Sequence, residues 1–316
     1  MKGKKKIVKK GKRTMKNNTT IIGIDHGFGL IKTANIDFVS GVKCFGAEEP
    51  PLPDKTICLD HQYYFVGGKR MHVMADKTAD NKYYILTLAA LAEEMKLRKL
   101  KNDSVIIAAG LPIERMGKEK ESFREYLLQN KKVDFSYEGN IYHVNIEDAY
   151  VYPQGYAAIV SSLCSMNGTH ILVDIGSWTI DILPIVDRVP DTSRCLSLNM
   201  GVITCMTLVN NEVRRKYNSE LEESQIQDIM RGGTGQLSDK FLTMAKEVIA
   251  EYTDDILAKL REIGFNLEVT PVTFMGGGAV VMEKHGNYDK DMTTILTDIH
   301  ANAKGYELIT KQKLSK

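Results

Sequence analysis

Cysteine is scarce in this chain and does not pair: Cys44, Cys58, Cys164, Cys195 and Cys205 are odd in number and form no C-x-x-C. That excludes a disulfide scaffold and a thiolate zinc site, and a reducing, cytoplasmic setting is expected. Long apolar runs are missing too. The run Thr19–Ile24 is cut off by Asp25, too short for a signal peptide. The stretch from Ala149 to Val173 has no Asp, Glu, Lys or Arg, but Pro153, Gln154, three serines, Asn167 and His170 interrupt it. It reads as a buried helix followed by a buried strand rather than a membrane span. Nor is there a large charge of one sign: 42 basic residues stand against 40 acidic ones, a net +2. The balance hides an asymmetry, because residues 1–16 hold nine Lys/Arg and no acid, which leaves the remainder near −7. A DNA-binding surface spread over the body is therefore excluded. The basic segment reads as a disordered, solubilising arm, with an arm touching DNA or a membrane as the alternative.

Familiar nucleotide signatures are absent as well. Gly67-Gly68-Lys69 is followed by Arg70, where a Walker loop needs Ser or Thr. No G-x-G-x-x-G opens a βαβ unit, and protein-kinase motifs are missing.

What is present is a repeated plan. The 316 residues, 43% apolar and 26% charged, suit a globular chain of about two domains. An apolar run, TTIIGID, meets a glycine turn and returns as LIKTANIDFV; at 170–186, HILVDIGSWTIDILPIV does the same. Helices are expected at about 81–100, 117–130, 200–217, 222–230, 238–263 and 299–309. On the first of these Tyr84, Leu88, Leu91 and Met95 share a face. On the longest, Leu242, Ala245, Ile249, Tyr252 and Ile256 form a stripe. Two halves that each open strand–turn–strand imply an internal duplication.

Each turn carries chemistry. Asp25 ends one buried strand and Asp174 another, and a carboxylate there suits a hydrated Mg²⁺, which keeps several waters. Gly27 and Gly29 around Phe28, like Gly176 before Ser177, Trp178 and Thr179, let backbone amides approach phosphate oxygens. Lys32 adds a point charge on the returning strand. His26 reads as a tolerated turn residue, and Trp178 as packing or interface. A third glycine turn, Gly276, Gly277 and Gly278, sits between a strand and a helix start, where a nucleotide can approach backbone amides. Each turn alone is an ordinary hairpin; two acidic turns 149 residues apart, facing across a cleft, would grip a phosphate chain from both sides.

In this order the motifs resemble the actin, sugar kinase and chaperone-ATPase superfamily. Residues 21–32 look like its first phosphate loop, 147–159 its first connecting helix and 171–182 its second phosphate loop. Residues 274–280 look like its adenosine loop and 301–309 its second connecting helix. Asp174-Ile175-Gly176, Gly110-Leu111-Pro112 and the A-N-A-x-G-Y at 301–306 are similar to the bacterial ParM-type filament proteins. The resemblance implies an α/β actin-like fold of two duplicated RNase H-like domains flanking a nucleotide cleft. The expected divisions are a basic tail at 1–18, domain I at 19–160 and domain II at 161–316, with the helix at about 299–309 packing back on domain I.

It also implies roles. Asp25 and Asp174 would hold Mg²⁺ through water and help orient the attacking water, with Gln154 positioning that water and Glu147 and Asp148 as rivals. Gly27, Phe28, Gly29 and Lys32 would bind the β- and γ-phosphates. Gly176, Ser177, Trp178 and Thr179 would cradle the γ-phosphate, and Gly276, Gly277 and Gly278 the nucleoside. The 199–216 helix is the candidate for base and ribose contacts. The implied function is an ATP or GTP hydrolase that polymerises with itself and segregates plasmid DNA through a ParR-type adaptor, without a membrane partner. DNA would be reached indirectly, or directly through residues 1–16. A small-molecule kinase and a non-hydrolysing scaffold on the same fold are the alternatives.

Overall fold

A computed structural model of the protein describes residues 19–72, 76–100 and 104–315. The basic segment expected to be a disordered arm lies outside them. The apolar run that opens the body becomes β1 (Thr20–His26), whose Ile22 and Ile24 are fully buried. Each such side chain contributes roughly 1.5–3 kcal/mol by leaving water. The chain turns back as β2 (Leu30–Thr33) and continues through β3 (Asp37–Val39), β4 (Val42–Gly46), β5 (Thr56–Leu59) and β6 (Gln62–Val66). Next come α1 (Lys82–Leu97), β7 (Ser104–Leu111), α2 (Ile113–Leu127), β8 (Lys132–Tyr137) and β9 (Asn140–Pro153). The second half contains β10 (Thr169–Ile175), β11 (Ile180–Val186), β12 (Val189–Pro190) and β13 (Leu196–Leu198), then α3 (Val202–Tyr217), α4 (Glu223–Met230) and α5 (Asp239–Glu262). It ends with β14 (Val272–Met275), α6 (Ala279–His285), β15 (Thr293–Ile295) and α7 (Ala301–Leu314).

The duplication is explicit in the sheets. Among the described residues the first sheet runs β3-β2-β1-β7-β9 before continuing through β8, β5, β6 and β4; the second runs β12-β11-β10-β14-β15. In both, the opening hairpin is antiparallel, and the next two strands add in parallel to the hairpin's first strand. Ligands of such sheets sit beyond the carboxyl ends of the central strands. Asp25 and Asp174 lie at the ends of β1 and β10.

Three expectations need correction. No helix starts at Pro153: β9 continues to that residue, and residues 147–159 are strand followed by the short 3-10 turn Ala157–Ile159, with a second such turn at Leu163–Ser165. An uncharged segment has no charged face from which a period could be read. Helix α1 is likewise buried almost all round from Tyr83 to Ala92, not along one stripe. Along α5, Ala245, Ile249, Tyr252 and Ile256 are buried as expected, but Leu242 only partly.

Helix α7 lies across β1. The Gly23 amide donates to Glu307 Oε1 at 2.9 Å, and a Cβ at Gly23 would stand 2.1 Å from the Ala303 carbonyl oxygen. Gly305 makes the reciprocal approach, since its Cβ would meet the Ala157 carbonyl at 1.9 Å. Arg98, which ion-pairs with buried Glu94, reaches Glu307 at 2.6 Å and so ties α1 to α7. Among the described residues no helix is long and apolar enough to cross a membrane.

Candidate functional site

The two acidic turns meet. A Cβ on Gly29 would lie 2.0 Å from Ser177 Oγ, so the first turn approaches the second closely enough that a side chain there would displace the serine hydroxyl. The second turn is closed by the Gly176 amide donating to the Thr179 carbonyl at 2.9 Å. Its Gly176 and Ser177 carbonyls accept from the amides of Val202 and Ile203, so the first turn of α3 braces it. Gly201 packs against the Ser177–Trp178 backbone with no room for a Cβ, which would stand 2.5 Å away.

Around this junction lies a cleft of about 610 Å³. Asp25, Gly27, Phe28, Gly29, Lys32, Gln154, Asp174, Gly176, Ser177, Trp178, Thr179 and Gly277 all line it. Gly276 and Gly278 do not. Gly276 has φ +86°, and its Cβ would collide with Asp174 Oδ1 at 2.2 Å; a Cβ on Gly278 would meet Ile175 Cγ2 at 2.2 Å. Gly277 alone of the three faces open space. The triple glycine therefore divides its work: two residues seat the turn against β10, and one leaves the cleft wall bare.

Three side chains converge on the floor. Gln154 Nε2 donates to Asp25 Oδ1 at 2.6 Å, and Lys32 Nζ donates to Asp25 Oδ2 at 3.2 Å. Asn302 on α7 donates to Asp174 Oδ2 at 3.4 Å and accepts from the Gly155 amide at 2.9 Å. Burial would push the Asp25 carboxyl up, but Lys32 and Lys77 together hold it below its ordinary value. Asp174 goes the other way, to about 7, because burial dominates and Asp181 and Asp25 add like charge that Lys32 does not offset. Lys32, buried beside both acids, is held above its ordinary value by Asp25 and Asp174 despite desolvation.

The rivals to Gln154 do not reach the cleft. Asp148 is ion-paired with Arg124 at 2.5 Å, and Glu147 does not line the cavity. His26 is no turn residue but the fully buried end of β1, with Nε2 2.8 Å from Thr87 Oγ1 and Phe123 edge-on. Burial first, then Lys77, lowers its pKa to about 3, so it stays neutral.

Several lining residues went unmarked in the sequence. Gly68, Lys69 and Arg70 form one rim, so the rejected Walker-like segment faces the cleft after all, without a Walker geometry. The opposite wall comes from Glu223, Gln227, Met230 and Arg231 at α4. Helix α3, the expected source of base contacts, supplies Val202 alone among the described lining residues. Arg70 and Glu223 join the rims by two hydrogen bonds of 3.1 and 3.0 Å. Asp181 and Lys77, the latter buried beneath the first turn, also line the cleft. The neighbours of an acid at a strand end gave the signal for Asp25 and Asp174; nothing comparable surrounds Lys77.

A bare backbone wall, two glycine turns and a buried lysine fit a nucleotide with its phosphate chain. No group of three or more His, Cys, Asp or Glu is poised for a metal among the described residues. Mg²⁺ needs only one or two carboxylates beside water and phosphate, and Asp25 and Asp174 in the cleft would serve.

Comparison with known proteins agrees with this geometry. Residues 23–156 match the family described as actin-like proteins, N-terminal domain, and residues 172–286 match archaeal actin homologue MreB-like, C-terminal. An archaeal actin homolog, Ta0583, in complex with ADP superposes with a TM-score of 0.75 at 19% identity, over 93% of this chain and 99% of that one. The protein of a 15-stranded ParM filament from Clostridium botulinum superposes at 0.72, with 20% identity over 93% and 99%. ParM from Bacillus thuringiensis with ATP gives 0.69 at 13% identity over 95% and 100%. No curated protein sequence matches the chain. With both halves matched in order and the fold duplicated about a common cleft, the chain belongs to the actin-like superfamily.

Proposed function

We propose that this protein is a ParM-type, filament-forming ATP or GTP hydrolase that segregates plasmid DNA through a DNA-binding adaptor of ParR type. The observation that carries the hydrolase reading is the 2.6 Å bond from Gln154 Nε2 to Asp25 Oδ1. It fixes the amide so that Oε1 remains an acceptor, able to orient a water but too weak a base to deprotonate it. Asp174, with its pKa near 7, is the group able to take a proton at neutral pH. Mg²⁺, when bound, would neutralise charge on the phosphates. The water oxygen attacks the terminal phosphorus, the bridging oxygen leaves with the nucleoside diphosphate, and the water's proton passes to Asp174 or to the phosphate released.

Self-assembly is the function the Clostridium botulinum filament supports for this chain. Nucleotide between the halves would favour one protomer shape for polymerisation, and hydrolysis would weaken it. Light scattering and phosphate release, followed together after adding Mg-ATP or Mg-GTP, test the reading. Scattering that rises at once and decays as phosphate accumulates is expected. Gln154→Ala should slow phosphate release ~10–100-fold and prolong the scattering plateau. Phosphate release without scattering at any concentration would overturn the filament assignment, and normal release from Gln154→Ala would overturn the site.

A further inference from the structure

The cleft contains three lysines, Lys69 on its exposed rim and Lys32 and Lys77 within, and of the inner two only Lys32 is ion-paired. Lys32 lies 3.2 Å from Asp25 Oδ2, its charge already answered within the protein. Lys77 is 2% exposed, and its Nζ donates to the His26 carbonyl at 2.5 Å. It also faces the rings of Phe28 and Tyr83, 5.0 and 5.6 Å from their centroids. Among the described residues no carboxylate stands within ion-pair distance of it. A buried ammonium without a counter-charge costs several kcal/mol. A prop for the His26 carbonyl needs one neutral donor, not a cation; Lys77 has three donors and uses one.

Its position explains the retained charge. Lys77 lines the cleft directly beneath the first turn, and its field reaches Asp25 on the first hairpin and Asp181 on the second. It lines the same cleft as Gly176, Ser177 and Thr179 of the second turn. We infer that Lys77 is the cation that contacts the terminal phosphate of the bound nucleotide, its missing counter-ion being supplied by the ligand. The inference rests on the nucleotide-hydrolase reading above. Burial lowers its pKa to about 8, which keeps it mostly charged at neutral pH and ready for an anion. Lys32, by contrast, chiefly holds Asp25 ionised.

The test compares nucleoside triphosphate with diphosphate. Lys77→Gln keeps a donor for the His26 carbonyl and removes the charge. Binding of ATP and ADP (or GTP and GDP, whichever pair the wild type prefers) is measured on the full chain by displacement of a fluorescent analogue. Loss of a charged hydrogen bond to the terminal phosphate predicts triphosphate affinity down ~10–100-fold, with diphosphate affinity within about threefold. Equal weakening of both nucleotides, or of neither, would overturn the assignment while leaving the nucleotide reading intact. A wild type that binds neither would overturn both. Should Lys77→Gln fail to fold, the wild type serves: triphosphate, but not diphosphate, should shift the Nζ resonance of Lys77 in lysine-labelled protein read by NMR. Equal shifts from the two, or none, would remove Lys77 from the terminal phosphate.

Discussion

The two hairpins share a backbone but not an electrostatic design. In the first, Asp25 pairs across the ladder with Lys32; in the second, Asp174 occupies the same place and pairs with Asp181. Asp25 is buried and Asp174 half-buried at the end of a central strand, and desolvation pushes each upward. A lysine opposite turns the first into a firmly ionised anchor; an aspartate opposite leaves the second near 7. Ser197 Oγ donates to Asp181 at 2.5 Å, yet burial still raises Asp181. Duplication therefore delivered two frames, and single residues on the returning strands divided them into a firmly ionised acid and one raised to about 7.

This contrast is broken hardest at Asp174. Asp174→Asn should lower phosphate release by ~100-fold or more, the scale of a lost general base. The same variant has an opposite signature in the nucleotide-free protein. With a folded pKa of about 7 against an ordinary 3.8, the folded state keeps a proton that the unfolded chain releases. Stability is full below the unfolded pKa, falls as pH rises between the two values, and is lowest above the folded one. Asp174→Asn should therefore raise the melting temperature clearly at pH 8 and hardly at all near pH 4. A gain independent of pH would contradict the raised pKa.

The comparison sharpens at the triple glycine, which only the second half carries. Gly278→Ala drives a methyl into Ile175 and should cost about 1–3 kcal/mol of stability, measured by urea unfolding. Gly277→Ala meets open space and should leave stability unchanged while weakening nucleotide binding. If both variants unfold alike, the division of labour within the turn is wrong.

The smallest effect is expected at Arg70, which joins the halves rather than distinguishing them. Its partner Glu223 is half-exposed, so the pair contributes at most about 1 kcal/mol. Arg70→Ala should speed release of a fluorescent nucleotide by up to ~5-fold without changing the pH dependence at Asp174. No change in release rate would mean that the rims move independently.

Much of this site could be read from the sequence because its signals are local. A buried strand that ends in Asp and turns at Gly announces itself within eight residues, and both copies landed where their spacing put them. Gln154 likewise reached the floor, although the expected helix around it is a strand end and a 3-10 turn. Backbone form was misread there because a segment without charged residues offers no polar face to mark a period. Lys77 escaped because it stands in a polar stretch, MADKTADNK, that resembles any surface loop. Its burial depends on α1 and the first hairpin closing over it, a long-range outcome no short window contains. Arg70 and Glu223 were hidden for the same reason, being 153 residues apart.

The placement of α7 fixes a schedule for synthesis. Asn302 and Glu307 supply the partners of Asp174 and of the Gly23 amide, yet they are translated after every other part of the cleft. A nascent chain can form the first sheet and most of the second while still on the ribosome, since domains fold in order of emergence. It cannot complete the surroundings of Asp174 and Gly23 until the chain has been made through Glu307. A chain still being translated therefore lacks both contacts until its last helix has emerged.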